Sequence, residues 1–363
     1  MKLFTNKLIA VLAFLSYTIA ASVNMLQTEG PLNVQLAASG DTVVKMTITN
    51  IGDTTLNLLS TGTLLDETLP VKRITLYSNS SSKRVPFEGI AIQLDTSVLS
   101  VDNFFILESG SRKEFAIDAA ALHNLSSGGS FDVFANGMLP YANENSTELV
   151  GVLRYDSNRL SISVDGKRAA AVHESPVKRS YVPRRICDTT CHEAIRIALR
   201  NCKELASGAA TAAEAGDSRL ITFFKSSSKR VRDQVSTRMR AVAKECNTWS
   251  SRTMSSYGGR TDEICSLGNI SMYAYNWAGS SYITYCELFL TGSPAASRDC
   301  KRLDQGTTVL DEMKHAQNVF SPGTEDHTYG FDTTVQLSTD RALENADSYA
   351  LFAHFVYLGC VAY

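Results

Sequence analysis

The chain has 363 residues, 44% of them hydrophobic, enough for two domains with buried cores. Its formal net charge is −2, so nothing in the charge balance points to nucleic acid as a partner. The informative features lie in the order of segments along the chain.

Lys2 and Lys7 precede and open the apolar run Leu8–Leu15, and small residues follow at Thr18-Ile19-Ala20. That order is a secretory signal peptide over residues 1–20, cut after Ala20 or Ala21. The stretch is too short to span a bilayer, and no later segment is apolar enough to do so. A secreted, soluble, extracellular protein with no membrane partner is expected.

Residues 22–165 read as β structure. Val44, Met46 and Ile48 alternate with Lys45, Thr47 and Thr49, and Leu160, Ile162 and Val164 repeat the period of a half-buried strand. Short apolar runs between turn signals predict an antiparallel, sandwich-like unit. It carries no catalytic constellation, and its only histidine is His123. Asn79, Asn124, Asn145 and, later, Asn269 each open an N-x-S/T glycosylation sequon.

Residues 166–186 read as a linker with three dibasic pairs, Lys167-Arg168, Lys178-Arg179 and Arg184-Arg185. Such pairs suit a kexin-type processing protease cutting after Arg168, Arg179 or Arg185. A cut after Arg185 leaves 178 residues, the size of one compact domain. The predicted units are therefore residues 1–20, 21–185 and 186–363.

All eight cysteines, Cys187, Cys191, Cys202, Cys246, Cys265, Cys286, Cys300 and Cys360, lie in the last unit. An even number in an oxidising compartment predicts disulfides. Ile195, Leu199, Cys202 and Leu205 share a helical face ending at Gly216, and Asp217 reads as a cap for the next element. Val231, Val235, Met239, Val242 and Cys246 form another stripe. Its flanking cations, Lys229, Arg230, Arg232, Arg238, Arg240 and Lys244, read as a solvated face. Asn269–Leu290 reads as a β-hairpin turning near Gly279-Ser280, and helices are predicted over Asp304–Gln317 and Asp340–Tyr357.

The chemistry starts at Asp311-Glu312-Met313-Lys314-His315. Positions four apart share a helix face, the spacing by which HExxH places two imidazoles on zinc and a glutamate beside the water. Here the first ligand position holds Asp311, and ExxH alone carries little weight. The sequence beyond it carries more: SPGTEDHTYG over 321–330 and ENADSYALFAHFVYLGC over 344–360. With RMRAVAKE upstream, residues 187–363 resemble the deuterolysins, the aspzincin class of fungal secreted zinc metalloendopeptidases. GTEDHTYG matches the GTxDxxYG motif at every fixed position. The signal, propeptide and dibasic layout is similar too.

The resemblance implies an α+β chain: a β-sandwich-like propeptide, then a mostly helical zincin-type protease domain with a small hairpin or sheet. It implies one Zn2+ held by His315 and Asp326, with Glu312 as general base and Tyr329 facing the oxyanion. Asp347 is a rival carboxylate, read instead as a buried structural group. Asp311 stands where the family has histidine. Carboxylate oxygen binds zinc at a similar distance, but a second aspartate lowers the Lewis acidity of the ion. A weakened enzyme, one using a harder metal such as manganese, and an inactive binding scaffold all accommodate Asp311.

By the same resemblance Cys202 pairs with Cys246, Cys265 with Cys286 and Cys300 with Cys360, leaving Cys187 and Cys191 as a remainder. The expected activity is hydrolysis of protein and peptide substrates, basic proteins among them, by a monomer made as a zymogen. A secreted pseudoprotease that binds a partner through its cleft is the alternative.

Overall fold

The computed structural model describes residues 30–173, 188–247, 254–258, 263–267 and 271–361. The signal-peptide reading, the pairs at 178–179 and 184–185, Cys187 and Asn269 lie outside the described residues. The chain is mixed α and β with several small sheets.

In the N-terminal half, strands β1 (Leu32–Ala38), β2 (Val43–Asn50), β3 (Leu56–Leu59), β4 (Thr75–Ser78) and β5 (Ile90–Leu94) are followed by β6 (Phe104–Leu107) and β7 (Arg112–Asp118). β8 (Gly129–Phe134), β9 (Asn136–Ala142), β10 (Leu149–Asp156) and β11 (Leu160–Val164) complete it. They form three sheets, β1-β2-β7, β10-β9-β3-β6 and β11-β8-β4. The alternation read at 44–48 is that of β2, with Val44, Met46 and Ile48 fully buried. A core including Leu58, Leu76 and Val133 fills the space between the sheets. The strands are divided among three small sheets of three or four strands each. β5 joins none of the three.

Residues 166–173, read as linker, form a helix (Gly166–His173) whose Ala169 is fully buried. Lys167-Arg168 therefore sits in helical backbone, because Asp165 Oδ1 accepts from the amides of Lys167 and Arg168 at the helix start. Asn79, Asn124 and Asn145 are all exposed.

In the C-terminal half, the helix Thr189–Ala215 opens on Asp188, which caps the Cys191 amide, and closes at Gly216 with φ +75°. Asp217 Oδ1 accepts from the Arg219 amide at the start of helix Arg219–Phe224. Cys202–Cys246 ties the long helix to Lys229–Asn247. Cys265–Cys286 and Cys300–Cys360 are also bonded, and Cys191 is bonded to a partner outside the described residues. Of the cations assigned to a solvated face, Arg238 is buried, its guanidinium 4.5 Å from the Phe320 ring centroid.

The hairpin is β13 (Met272–Trp277) and β14 (Tyr282–Tyr285), and Glu287–Thr291, read as its end, is helical. β12 (Ser255–Gly258) lies parallel to β14, and on the other side β13 takes β5 of the N-terminal half as its antiparallel neighbour. The order is β12-β14-β13-β5, one sheet built from both halves. The helix predicted from Asp304 runs Gln305–His315, every residue buried, started by a capping box between Asp304 and Thr307. The last predicted helix is two, Thr339–Glu344 and Ala346–Leu358, broken at Asn345.

Phe223 anchors the helical core, edge-on to Phe331, Phe352 and Phe355. Phe223→Ala is expected to lower stability by about 3–5 kcal/mol. Ile221→Ala, half-exposed on the same helix, should stay within about 0.5 kcal/mol. Urea denaturation of the two variants measures both.

Candidate metal centre

Asp311 and His315 project from one face of the helix Gln305–His315, and Asp326 faces them from the loop beyond it. His315 Nε2 lies 3.4 Å from Asp311 Oδ2 and 3.2 Å from Asp326 Oδ1. One donor atom from each of the three residues falls within 4.8 Å of the others. Zinc bonds of about 2.0–2.1 Å in a tetrahedron hold neighbouring ligands about 3.3 Å apart. The measured separations therefore fit one divalent ion, and the donor set of two carboxylates and an imidazole suits it chemically.

The loop is built to present these groups. His315 Nδ1 donates to the Thr324 carbonyl at 3.0 Å, which fixes the ring and leaves Nε2 for the carboxylates. The Thr324 amide returns a bond to the Lys314 carbonyl at 3.0 Å. Gly323 permits this close passage, since a Cβ there would lie 2.3 Å from the His315 carbonyl oxygen. Asn345 Oδ1 accepts from the amides of His327 and Thr328, at 2.8 and 3.1 Å, and so holds the stretch after Asp326. Gly330, at φ +79°, donates its amide to Asp347 Oδ2 at 2.5 Å. Asp347 is thus buried beside the site as the support of the loop's end.

The electrostatics is dominated by buried carboxylate. Burial pushes Asp311 up to about 6, with Asp326 adding to the rise. Burial, with the charge of Asp311, pushes Asp347 up to about 8. Burial holds Glu312 well above the usual carboxylate range, and neither of its oxygens has a hydrogen-bond partner. Burial disfavours charge on His315, but Asp326 and Asp311 outweigh it and hold the imidazole well above its ordinary pKa. The Tyr329 hydroxyl is buried, without a hydrogen-bond partner, and raised by burial and the surrounding carboxylates.

The site is roofed by the N-terminal half. The Ile92 amide donates to Asp326 Oδ2 at 3.3 Å, and Gln93 Nε2 donates to Asp347 Oδ1 at 3.2 Å. Lys72 Nζ and Arg84 Nη2 reach Glu325 Oε1 at 2.5 and 2.6 Å. Burial opposes the charge of Glu325, but Lys72, His327 and Arg84 outweigh it and hold this carboxyl well below its usual range. Beside these contacts a cavity of about 320 Å³ reaches His315, Asp326 and Tyr329.

The structure thus brings Asp311, His315, Asp326, Glu312 and Tyr329 into one buried neighbourhood. Thr324 was read as a fixed position of the GTxDxxYG motif without a role, and Asn345, Ile92 and Gln93 were not singled out by sequence reasoning. Gln93, Ile92 and Asn345 had no visible signal, Asn345 lying in the polar stretch Glu344-Asn345-Ala346-Asp347-Ser348.

We expect purified chain to retain about one divalent ion, and His315→Ala to retain less than about a tenth of that, by elemental analysis. Binding must displace the proton held by His315 and Asp311, so retention should be weaker at about pH 5 than at about pH 8.

Residues 1–360 match the deuterolysin metalloprotease (M35) family. The chain is 45% identical over 356 residues to a neutral protease 2 homolog of Phaeosphaeria nodorum, covering 97% of this chain and 98% of that one. It is 36% identical to a neutral protease 2 homolog of Arthroderma gypseum, covering 94% and 95% of the two chains. A neutral protease 2 homolog of Colletotrichum graminicola is 34% identical, with 94% and 97% covered.

Proposed function

Because the chain belongs to the deuterolysin metalloprotease (M35) family, we propose that it is a secreted zinc endopeptidase made as a latent precursor. The observation that carries this reading is the set Asp311, His315 and Asp326 at ligand spacing, with Glu312 unpartnered on the same helix. Those three residues would hold the ion, which supplies a Lewis acid that makes water nucleophilic near neutral pH. Glu312 accepts the proton of the attacking water and passes it to the leaving amine. The Tyr329 hydroxyl donates to the developing oxyanion. The backbone edge of β13 receives the substrate as an antiparallel strand, the position β5 holds in the intact chain. Protein and peptide substrates follow, basic proteins among them, and the working form is a monomer.

The N-terminal half then acts as propeptide, severed from the C-terminal half by a kexin-type cut. Cleavage after Arg168 requires extended backbone running into the buried Ala169, so processing falls at Arg179 or Arg185. N-terminal sequencing of the secreted mature protein is expected to begin after one of those two residues.

Asp311 favours a second reading, a catalytically impaired protein whose cleft binds a partner. Casein digestion by the C-terminal piece freed of the N-terminal half, with added zinc or manganese, decides between them. Glu312→Gln is expected to lower the rate by about 10²-fold or more, and a chelator to abolish it. Absence of digestion by folded protein with any metal turns the assignment to the binding protein. Asp311→His is expected to raise zinc affinity and proteolysis together; an active wild type whose histidine variant gains neither refutes the ligand assignment.

A further inference from the structure

We infer that cutting the linker does not open the cleft: the N-terminal half stays docked as a separate chain, with β5 still paired to β13 across the metal centre. The inference rests on the precursor reading above for its biological setting, and on the interface between the halves for its physics.

None of the forces across that interface depends on the linker. β5 is a strand of the C-terminal sheet, in the register Leu94↔Met272, Gln93↔Ala274, Ile92↔Tyr275, Ala91↔Asn276 and Ile90↔Trp277. Backbone bonds extend past both ends of the ladder, from Asp95 N to the Ser271 carbonyl and from Ala278 N to the Gly89 carbonyl, each 2.8 Å. Ile90, Ile92 and Leu94 are buried in a hydrophobic core shared with Met272, Tyr275 and Tyr329 of the other half. Gln93, 1% exposed, spends its amide on Asp347, and the Tyr273 hydroxyl donates to Asp95 at 2.5 Å in a buried position. Lys72 and Arg84 close the far side on Glu325.

Separation would strand these groups. It would leave one edge of β13 without backbone partners and expose apolar surface on both pieces. Covalent linkage contributes only an effective concentration, of the order of millimolar for short linkers. An interface combining strand addition, a shared core and buried polar pairs needs no such help at micromolar protein. The cut product is therefore a two-chain latent complex, and opening the cleft requires removing or digesting the N-terminal piece. The occupied position is that of a bound peptide strand: the Ile92 amide faces the ligand Asp326 and the Gln93 side chain reaches Asp347.

The test uses the full chain, cut in the linker by a kexin-type protease and held at micromolar concentration. Both fragments are expected to co-elute at one to one in size exclusion, with hydrogen exchange over Ile90–Leu94 as slow as in the uncut chain. Fragments that elute apart without denaturant, or fast exchange at β5 after cutting, overturn the inference. Lys72→Glu, which faces Glu325 with a like charge, is expected to weaken retention by at least ~10-fold in dissociation constant. The milder Arg84→Glu, at a more exposed site, gives the same sign if the first variant fails to fold. Unchanged retention in both overturns the assigned contacts. Casein digestion is read separately: co-elution without proteolysis by the freed C-terminal piece supports docking while refuting the protease assignment.

Discussion

The fold depends on the burial of negative charge. Asp311, Glu312 and Asp347 are at most 1% exposed, and Asp326 completes the group with its side chain 10% exposed. Water solvates carboxylates so strongly that removing it is unfavourable without a cation in its place. Lys314, on the same helix, contributes only a minor attraction to Asp311, and its ammonium lies 4.0 Å from the Tyr349 ring centroid. In the protein alone the compensation falls to the proton on His315, drawn there by Asp326 and Asp311. A divalent ion would meet the same demand with twice the charge, and the donor spacing suits one. The helix that carries the motif is buried on all sides because it must keep water away from this cluster. The loop glycine at 323, the Thr324 carbonyl and Asn345 hold the cluster in place.

What the sequence made legible was local. The period-two stripe at Val44–Ile48, the glycine stop at 216, the hairpin strands around Gly279 and the ExxH helix all arise from contacts a few residues apart, and all took the expected form. The candidate metal centre was legible because a helix repeat and a motif loop bring Asp311, His315 and Asp326 together without help from distant chain. The arrangement of sheets was not. Short strands were visible in the pattern, but which strand pairs with which is decided by long-range packing that no local periodicity encodes. β5 shows this best: Ile90–Leu94 reads like any short apolar run, yet its partner lies about 180 residues away. Helix 166–173 was read as linker because charge and basic pairs dominate its sequence. Its burial rests on Ala169, a residue with no signal of its own.

Asp311 is better understood in this setting. It is fully buried, its carboxylate reached only by the His315 ring at 3.4 Å, and it lies on the ligand face of the helix. The Asp311 carboxylate, His315 ring and Asp326 carboxylate offer donor atoms within 4.8 Å of one another with the shorter side chain in place. The substitution therefore acts through charge more than through shape. An ion held there would meet two carboxylates and one imidazole, a harder and more negative set of donors.

The pairing of β5 with β13 also bears on the order in which the chain is made. Ribosomal synthesis delivers residues 90–94 well before residues 272–277, and N-terminal units fold first as they emerge. When the β13 sequence leaves the ribosome, the strand that will cover its edge is already in place. β13 is buried at every residue and rich in aromatic side chains. Exposed, such an edge would recruit neighbouring chains during folding. Chain order thus supplies the cover before the surface that needs it, and a circular permutant with the halves exchanged would lose that protection while keeping every native contact.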